Sequence, residues 1–297
     1  MTPTADRPPA PLGGPGPLVD VHAHFYHAGC GRSDWKQVNE SRLRAGALIG
    51  ITVHVASMLG SFGHRSPTYF PSPSDIAEGN DEMRRLEAGS SGLVRSYVTV
   101  NPNDAARAQE EIARGVEGGA VGIKLAASRR ADDPLLDPIA AAAVTHGLPI
   151  LHHIWQHRTR EWPGQEISDG ADLGRLAARH PRAMFILAHI GGGGDWAHTF
   201  PAVADMPNVY LDISGSGVDR GMLDAALQAV GSTRLLWGSD ITMETGLAKL
   251  RALEAIGLNA EEMADIRYRN AVRIFRAGRL LPSVEPTPAR RARAERA

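Results

Sequence analysis

Eight short segments rich in apolar and β-branched residues constrain this chain most, because they recur at regular intervals between stretches of helical character. In order they read LVDVHA, GITVHVAS, LVRSYVTV, AVGIKLAA, LPILHHI, MFILAHI, NVYLDIS and RLLWGSD. They begin about 25 to 45 residues apart, which is the length of a strand, a helix and two short loops. Several are continuously apolar rather than alternating, as strands covered on both faces are. The pattern therefore predicts parallel strands with helices between them.

Eight such units within about 260 residues are typical of an α/β fold, the closed (β/α)8 or TIM barrel. A doubly wound open sheet is the structural alternative, but eight evenly spaced units favour closure. The intervening segments carry helix signals. In DPIAAAAVTHGLP, Pro138 suits the first turn and Gly147 suits the position after the last turn.

The two ends of the chain differ in composition from the rest. The start is rich in proline and glycine and the end in arginine, and neither contains an apolar pattern that could be buried. We therefore predict a disordered leader over residues 1–17, a single barrel domain over residues 18–280 and a disordered tail over residues 281–297.

Charge and composition indicate a small-molecule ligand. The 297 residues include 32 basic and 33 acidic side chains, so neither nucleic acid nor an anionic membrane is expected as a partner. Cys30 is the only cysteine, which excludes an internal disulfide and fits a reducing compartment. No apolar run reaches membrane-spanning length, and the N-terminus lacks the apolar centre of a secretion signal. A cytoplasmic location is predicted.

Polar side chains stand at the ends of four predicted strands. The ends of parallel barrel strands share one face, so side chains there converge on one pocket. The strand-end residues are His22 and His24 on the first strand, His152 and His153 on the fifth, His189 on the sixth and Asp240 on the eighth. Imidazole nitrogens and carboxylate oxygens are donors that zinc, iron and manganese accept. Any one histidine could be structural. Because such residues occur at four strand ends, which is hard to explain by chance, a metal site is favoured.

The motifs that carry these residues resemble the amidohydrolase superfamily, in particular the branch related to aminocarboxymuconate semialdehyde decarboxylase. The matching motifs, in family order, are DVHAHF, GIKL, GLPILHH, FILAHIGG, LLWGSD and NAVRIF. The resemblance implies one divalent metal ion, usually zinc with Mn²⁺ or Fe²⁺ as alternatives, held by His22, His24, a strand-five histidine and Asp240. It further implies that His189 acts as general base and then general acid, and that Asp240 can also handle a proton.

The fifth strand requires a choice between two adjacent histidines. His152 and His153 point to opposite faces of a strand, so only one is expected to reach the pocket. The family usually places its ligand four residues after the proline of LP, which is His153 here. His152 would then face the helical layer or approach as a partner of a ligand.

Two cations are candidate substrate-binding residues. Lys124 in GIKL could pair with a substrate carboxylate, could be structural, or could bridge two metal ions as a carboxylated lysine, which some relatives use. Arg65, in the loop after the second strand, is the best candidate for an anion anchor because a guanidinium offers paired donors. The segment IWQHRTREWPG after the fifth strand could line the pocket or pack in a homodimer.

Three functions remain open from the sequence. The preferred one is hydrolysis of an ester, lactone or amide by metal-activated water. The alternative is nonoxidative decarboxylation of an unsaturated or aromatic acid, and the third is a barrel without turnover. Decarboxylase relatives often begin with Glu-x-His, whereas the name-giving one keeps His-x-His. The His22–His24 pair therefore argues mildly for hydrolysis or for that one subclass.

Overall fold

The eight segments form one parallel sheet in the computed structural model, which describes residues 11–30, 32–58, 73–125, 129–154, 168–190, 196–215, 220–240, 246–275 and 277–280. The strands are β1 (Val19–Phe25), β2 (Val53–Met58), β3 (Val94–Val100), β4 (Gly122–Leu125), β5 (Ile150–His153), β6 (Phe185–Ala188), β7 (Val209–Asp212) and β8 (Leu235–Leu236). Neighbours in the sheet follow the order of the chain, β1 to β8. This arrangement confirms the predicted TIM barrel and excludes the doubly wound sheet, whose strand order reverses.

Helices stand between successive strands, as the spacing predicts. They are α1 (Trp35–Ile49), α2 (Pro73–Gly89), α3 (Ala105–Glu117), α4 (Asp137–His146), α5 (Gly170–Arg179), α6 (Trp196–Val203), α7 (Arg220–Val230), α8 (Leu247–Ala255), α9 (Ala260–Ala264), a π-helical turn (Asp265–Arg269), α10 (Asn270–Ile274) and α11 (Ala277–Leu280). Gly147 follows α4 with φ 60°, the left-handed cap that the sequence indicates. Within the described ranges, no helix combines the length and the apolar character that a membrane crossing needs.

Apolar side chains form two layers on either side of the sheet. Inside the barrel, Leu151, Ile186 and Leu236 pack with Ile274 of α10 and with Phe275, the residue after it. The outer layer between strands and helices contains the residues that alternate with these, such as Leu125, Ile150, Leu187 and Leu211, together with helix residues. Successive strand side chains point to opposite faces, so the layer that a residue joins identifies the face on which it lies.

The contact between β1 and the segment after β8 joins the two ends of the sheet. The backbone N–H of Val21 donates to the carbonyl of Trp237 at 3.2 Å, and that of Asp240 donates to the carbonyl of His22 at 2.7 Å. The buried Asp20 carboxylate adds two bonds, because it accepts from the Ser239 N–H at 2.9 Å and from the Ser239 hydroxyl at 2.6 Å. The last ligand candidate along the chain is thereby brought beside the first.

Residues 11–17 differ from the predicted disordered leader. The N–H groups of Leu12 and Gly13 donate to the carbonyls of Leu48 and Ile49 at 2.9 and 2.8 Å, at the end of α1. The guanidinium of Arg251 also donates to the Leu12 carbonyl at 2.7 Å. Backbone hydrogen bonds to a helix end hold this segment, although it has little apolar surface to bury. Residues 1–10 and the predicted tail over 281–297 lie outside the described residues.

Candidate metal centre

Four side chains that the sequence singled out meet at the ends of β1, β6 and β8. The Nε2 atoms of His22 and His24 lie 3.1 Å apart, and His24 Nε2 lies 3.4 Å from Asp240 Oδ1. One ligand atom each from His22, His189 and Asp240 also fall within 4.8 Å of one another. The group is buried and could hold a divalent metal ion.

The separation and the protonation of these donors fit a metal ion. Two nitrogens that are each about 2.1 Å from one ion lie about 3.0 to 3.4 Å apart, and the His22–His24 separation of 3.1 Å falls in that range. Burial lowers the pKa of His22 and of His24 well below the ordinary value. Both imidazoles are therefore neutral, which is the form that coordinates metal.

Asp212, the last residue of β7, fixes the orientation of His22. The two residues are fully buried, and His22 Nδ1 lies 2.7 Å from Asp212 Oδ2. A carboxylate at that distance keeps the proton on Nδ1 and directs the Nε2 lone pair toward the centre of the group. Asp212 was not predicted to have this role. It ends β7 on the same face as Tyr210, which points into the barrel, and this position is a signal that could have indicated the role.

Ser57, near the end of β2, lies beside the Nδ1 of His24, as Asp212 lies beside the Nδ1 of His22. Its hydroxyl oxygen lies 3.1 Å from His24 Nδ1, and its carbonyl oxygen lies 3.4 Å away. An Nδ1–H that donates toward Ser57 leaves the Nε2 of His24 to face His22 and Asp240. No signal in the sequence identified Ser57, because a serine at a strand end is common and its partner lies on another strand.

The two histidines of β5 lie on opposite faces. His153 follows Leu151 into the barrel, and its Nδ1 lies 3.2 Å from His189 Nε2. His152 pairs in register with Leu125 and Leu187 of the outer layer. Its Nδ1 lies 3.0 Å from the carbonyl of His153, and burial lowers its pKa to about 4. Only His153 reaches the other candidate residues.

His189 and Asp240 have unusual backbone conformations. Their φ angles are 61° and 51°, and only one other non-glycine residue in the described ranges, Ser91, has a positive φ. The left-handed region is unfavourable for residues that carry a Cβ, and such residues cluster at functional sites. The backbone turns sharply after β6 and β8, and both side chains therefore point into the pocket rather than along the strand.

Lys124 on β4 contacts the metal-ligand candidates directly. Its ammonium donates to His22 Nε2 at 2.8 Å, and the side chain is almost fully buried. Burial lowers the pKa of Lys124 to about 8, although the nearby carboxylates of Asp240 and Asp212 oppose this shift. Arg65 and the segment after β5 lie outside the described residues.

Gly238 provides a test of how tightly this centre is packed. A Cβ at this position would lie 2.6 Å from Asp212 Oδ1 and 3.0 Å from the Cβ of His22. We expect Gly238→Ala to displace the Asp212–His22 pair, lowering the free energy of unfolding by about 1 to 3 kcal/mol and metal affinity by about 10- to 100-fold. Denaturant titration and metal analysis measure the two effects.

The matched control is Gly89→Ala at the exposed end of α2, where an added Cβ meets nothing within 4 Å. It should change the free energy of unfolding by less than about 0.5 kcal/mol and leave metal affinity unchanged. Equal effects of the two substitutions would contradict tight packing at Gly238.

The family of this chain follows from its match to a known family model. A sequence model of the amidohydrolase family matches residues 19–277, which include every strand. The chain is a member of the amidohydrolase family. This amidohydrolase has no match among curated protein sequences. The predicted family is confirmed, and the chain is an enzyme by family.

Solved structures share the barrel of this amidohydrolase over nearly their whole length. A 2,6-dihydroxybenzoate decarboxylase from Rhizobium has 17% identity and a TM-score of 0.68, with 88% of this chain and 98% of that chain covered. A 5-carboxyvanillate decarboxylase from Sphingomonas paucimobilis has 17% identity and a TM-score of 0.66, with 87% and 98% covered. A dihydroxybenzoic acid decarboxylase from Polaromonas sp. JS666, with bound manganese and 2-nitroresorcinol, has 16% identity and a TM-score of 0.67, with 87% and 96% covered.

Proposed function

We propose that this amidohydrolase is a metal-dependent, nonoxidative decarboxylase of a hydroxylated aromatic acid. The observation that carries the proposal is a buried cluster in which four candidate metal donors, one of them the Asp240 carboxylate, adjoin the Lys124 ammonium and the His189 imidazole. Decarboxylases of dihydroxybenzoate and carboxyvanillate are among its structural relatives, which supports the same chemistry. The sequence alone favoured hydrolysis, and decarboxylation is now the better supported of the two.

We assign the metal to His22, His24, His153 and Asp240. Three neutral imidazoles and one carboxylate would suit zinc or manganese, and one structural relative binds manganese. When bound there, the ion would supply positive charge that orients and polarises the oxygens of an acidic substrate. Burial lowers the pKa of His153 too, so this third imidazole is also neutral.

His189 and Asp240 are placed to handle the proton. In decarboxylation the bond between the ring carbon and the carboxylate breaks, its electron pair stays on the ring carbon, and a proton replaces the carbon dioxide that leaves. Burial raises the pKa of Asp240 when no metal ion is bound, whereas coordination would require the ionised carboxylate. His189 Nδ1 lies 3.9 Å from Asp240 Oδ2, so the two groups share one region of the pocket.

Lys124 would bind the substrate's acidic group. A metal ion and the Lys124 ammonium cannot both use the His22 Nε2 lone pair, so a bound metal requires the ammonium to move. The flexible four-carbon stem allows this, and pairing with a substrate carboxylate would satisfy the buried charge. Arg65 stays a second candidate for the same role.

Hydrolysis is the second candidate, and the His22–His24 pair mildly favours either hydrolysis or the name-giving decarboxylase subclass, which also has His-x-His. The sequence has His-x-His where decarboxylase relatives often have Glu-x-His. The same donors could activate water against an ester or lactone carbonyl, with His189 as general base.

The deciding experiment compares the products of the two reactions. The full chain is loaded with Mn²⁺ or Zn²⁺ and supplied with 2,6-dihydroxybenzoate, 5-carboxyvanillate, related hydroxybenzoates and a panel of lactones and esters. We expect carbon dioxide release from at least one acid, loss of this activity with a chelator and its return with metal. In heavy water the product should carry deuterium at the carbon that lost the carboxylate. Hydrolysis of a lactone or ester without carbon dioxide release from any acid would overturn the proposal.

The two histidines of β5 should differ in their effect on metal content. We expect His153→Ala to lower metal affinity at least about 10-fold, because His153 faces the pocket. His152→Ala is the matched control, since the same change on the outer face should leave the metal in place. Metal analysis after dialysis of both variants measures this, and greater metal loss from the His152 variant would reassign the ligand.

A further inference from the structure

Ser214 lies two residues after the end of β7, and its fully buried side chain lies between His22 and His189. Its hydroxyl oxygen lies 3.1 Å from His189 Nδ1, 3.1 Å from His22 Nδ1 and 2.5 Å from Asp212 Oδ2. Its backbone N–H donates to Asp212 Oδ1 at 2.9 Å. One hydroxyl therefore touches the candidate proton-transfer residue and the carboxylate that orients a candidate metal ligand.

The direction of these hydrogen bonds follows from counting protons. A serine hydroxyl has one hydrogen to donate, and an ionised carboxylate only accepts. The oxygen atoms of Ser214 and Asp212 are 2.5 Å apart, so the hydroxyl hydrogen must lie between them. The nearer partner of His22 Nδ1–H is Asp212, at 2.7 Å. With Asp212 ionised, the hydroxyl oxygen of Ser214 can therefore only accept from His189, whose Nδ1 then carries the hydrogen.

The position of the His189 ring is confined independently. It stacks on His22 with ring centroids 4.6 Å apart and an angle of 26° between the ring planes. A Cβ on Gly215 would lie 2.5 Å from His189 Nδ1, so the turn after Ser214 presses against this edge of the ring. Asp240 Oδ2, at 3.9 Å, is too far to accept a hydrogen bond from Nδ1. Ser214 is therefore the acceptor that the described contacts give this nitrogen.

We propose that Ser214 is a positioning residue that holds His189 as its Nδ1–H tautomer and so leaves the Nε2 lone pair on the side of the metal-ligand candidates, where it lies 3.2 Å from His153 Nδ1. In this tautomer the Nδ1–H donates to the Ser214 oxygen, and Nε2 is the ring nitrogen that carries no hydrogen. Through Asp212 the same hydroxyl ties the His189 ring to the ring of His22. The catalytic meaning rests on the proposed function of His189, but the tautomer itself does not.

The test is long-range ¹H–¹⁵N correlation of histidine rings in the full-length, ¹⁵N-histidine-labelled, zinc-loaded protein. The His189 signals are assigned by their loss in His189→Asn. We expect wild type to show a protonated Nδ1 and an unprotonated Nε2. Ser214→Ala should move the pattern toward protonated Nε2, and Ser214→Thr, which keeps the hydroxyl, should restore it. Wild-type His189 protonated on Nε2, or an unchanged pattern in a folded Ser214→Ala variant, would overturn the proposal.

The matched control is Ser57→Ala, which removes the corresponding hydroxyl beside His24 and should leave the His189 tautomer unchanged. Equal changes in both variants would show a general disturbance of the pocket and contradict the assignment. With an identified substrate and saturating metal, Ser214→Ala should lower kcat about 10- to 100-fold with little change in KM. The spectra need no substrate, so inactivity toward every tested acid would overturn the proposed function and leave the tautomer result standing.

Discussion

His22→Ala should lose the bound metal, because His22 combines the closest donor contacts of the centre. Its Nε2 lies 3.1 Å from His24 Nε2, and its Nδ1 lies 2.7 Å from Asp212. Loss of partners around a ligand already lowers metal affinity by about 10- to 100-fold, so loss of the ligand itself should exceed about 100-fold. Metal content after dialysis against a weak chelator measures the effect. Removing the partner of buried Asp212 should also lower the free energy of unfolding by about 1 to 3 kcal/mol.

His198→Ala is the matched control for His22→Ala. His198 lies in α6 with a side chain that is 61% exposed, and its Nε2 lies 3.3 Å from Asp169 Oδ2. It should keep the metal and the wild-type stability. A folded His22→Ala variant that retains one tightly bound metal per chain would exclude His22 as a ligand.

His189→Asn should keep the metal and lose about 10²- to 10⁴-fold in kcat, the range for removal of a general acid or base. Asparagine suits this position because it tolerates the left-handed conformation, here with φ of 61°. The asparagine variant therefore removes the imidazole without disturbing the left-handed backbone at this position. Steady-state rates on the substrate identified above, together with metal content, measure the result.

The metal content of His189→Asn shows whether His189 is a metal ligand or a general base. A ligand atom of His189 lies within 4.8 Å of ligand atoms of His22 and Asp240, so His189 could itself bind the ion. If His189→Asn loses metal as His22→Ala does, His189 is a ligand and its assignment as general base is wrong. Full metal content with unchanged kcat would exclude both roles.

The barrel was predictable because its signal is local and repeated. Each strand carries its own apolar run, and each helix its own end signals, such as Pro138 and Gly147 around α4. Eight repeats of one unit leave few other arrangements, since parallel strands need crossover helices. The leader was less predictable. Hydrogen bonds from Leu12 and Gly13 to the end of α1 are not visible in a composition rich in proline and glycine.

Placing the site residues at one face required only strand alternation and parallel order. His22, His24, His189 and Asp240 were expected to meet because the carboxyl ends of parallel barrel strands share one face, and the structure brings them together. Which of them bind metal stays a prediction. The partners of the candidate ligands were not predictable in the same way. Asp212 contacts His22 across 190 positions of sequence, and no local pattern encodes that pair.

The reaction type was the least determined by sequence. Hydrolysis and decarboxylation use the same kinds of donor, so the identity of the strand-end residues does not separate them. The preference for hydrolysis came from one residue, His22 in place of glutamate. Structural relatives that are decarboxylases are the reason that we propose the alternative for this chain.

By itself the sequence determined the (β/α)8 fold and the face on which polar strand ends gather, because periodicity and chain order encode these features locally. Its motifs, through their resemblance to known members, indicated the amidohydrolase family. Only the tertiary structure decided which atoms touch. It places Asp212 on His22, Lys124 on the same imidazole, and the Ser214 hydroxyl between His22 and His189. These contacts join β1, β4, β6 and β7, and they exist only after the barrel has closed. The orientation of His22 and His24 on β1 depends on partners from other strands, Asp212 for His22 and Ser57 for His24.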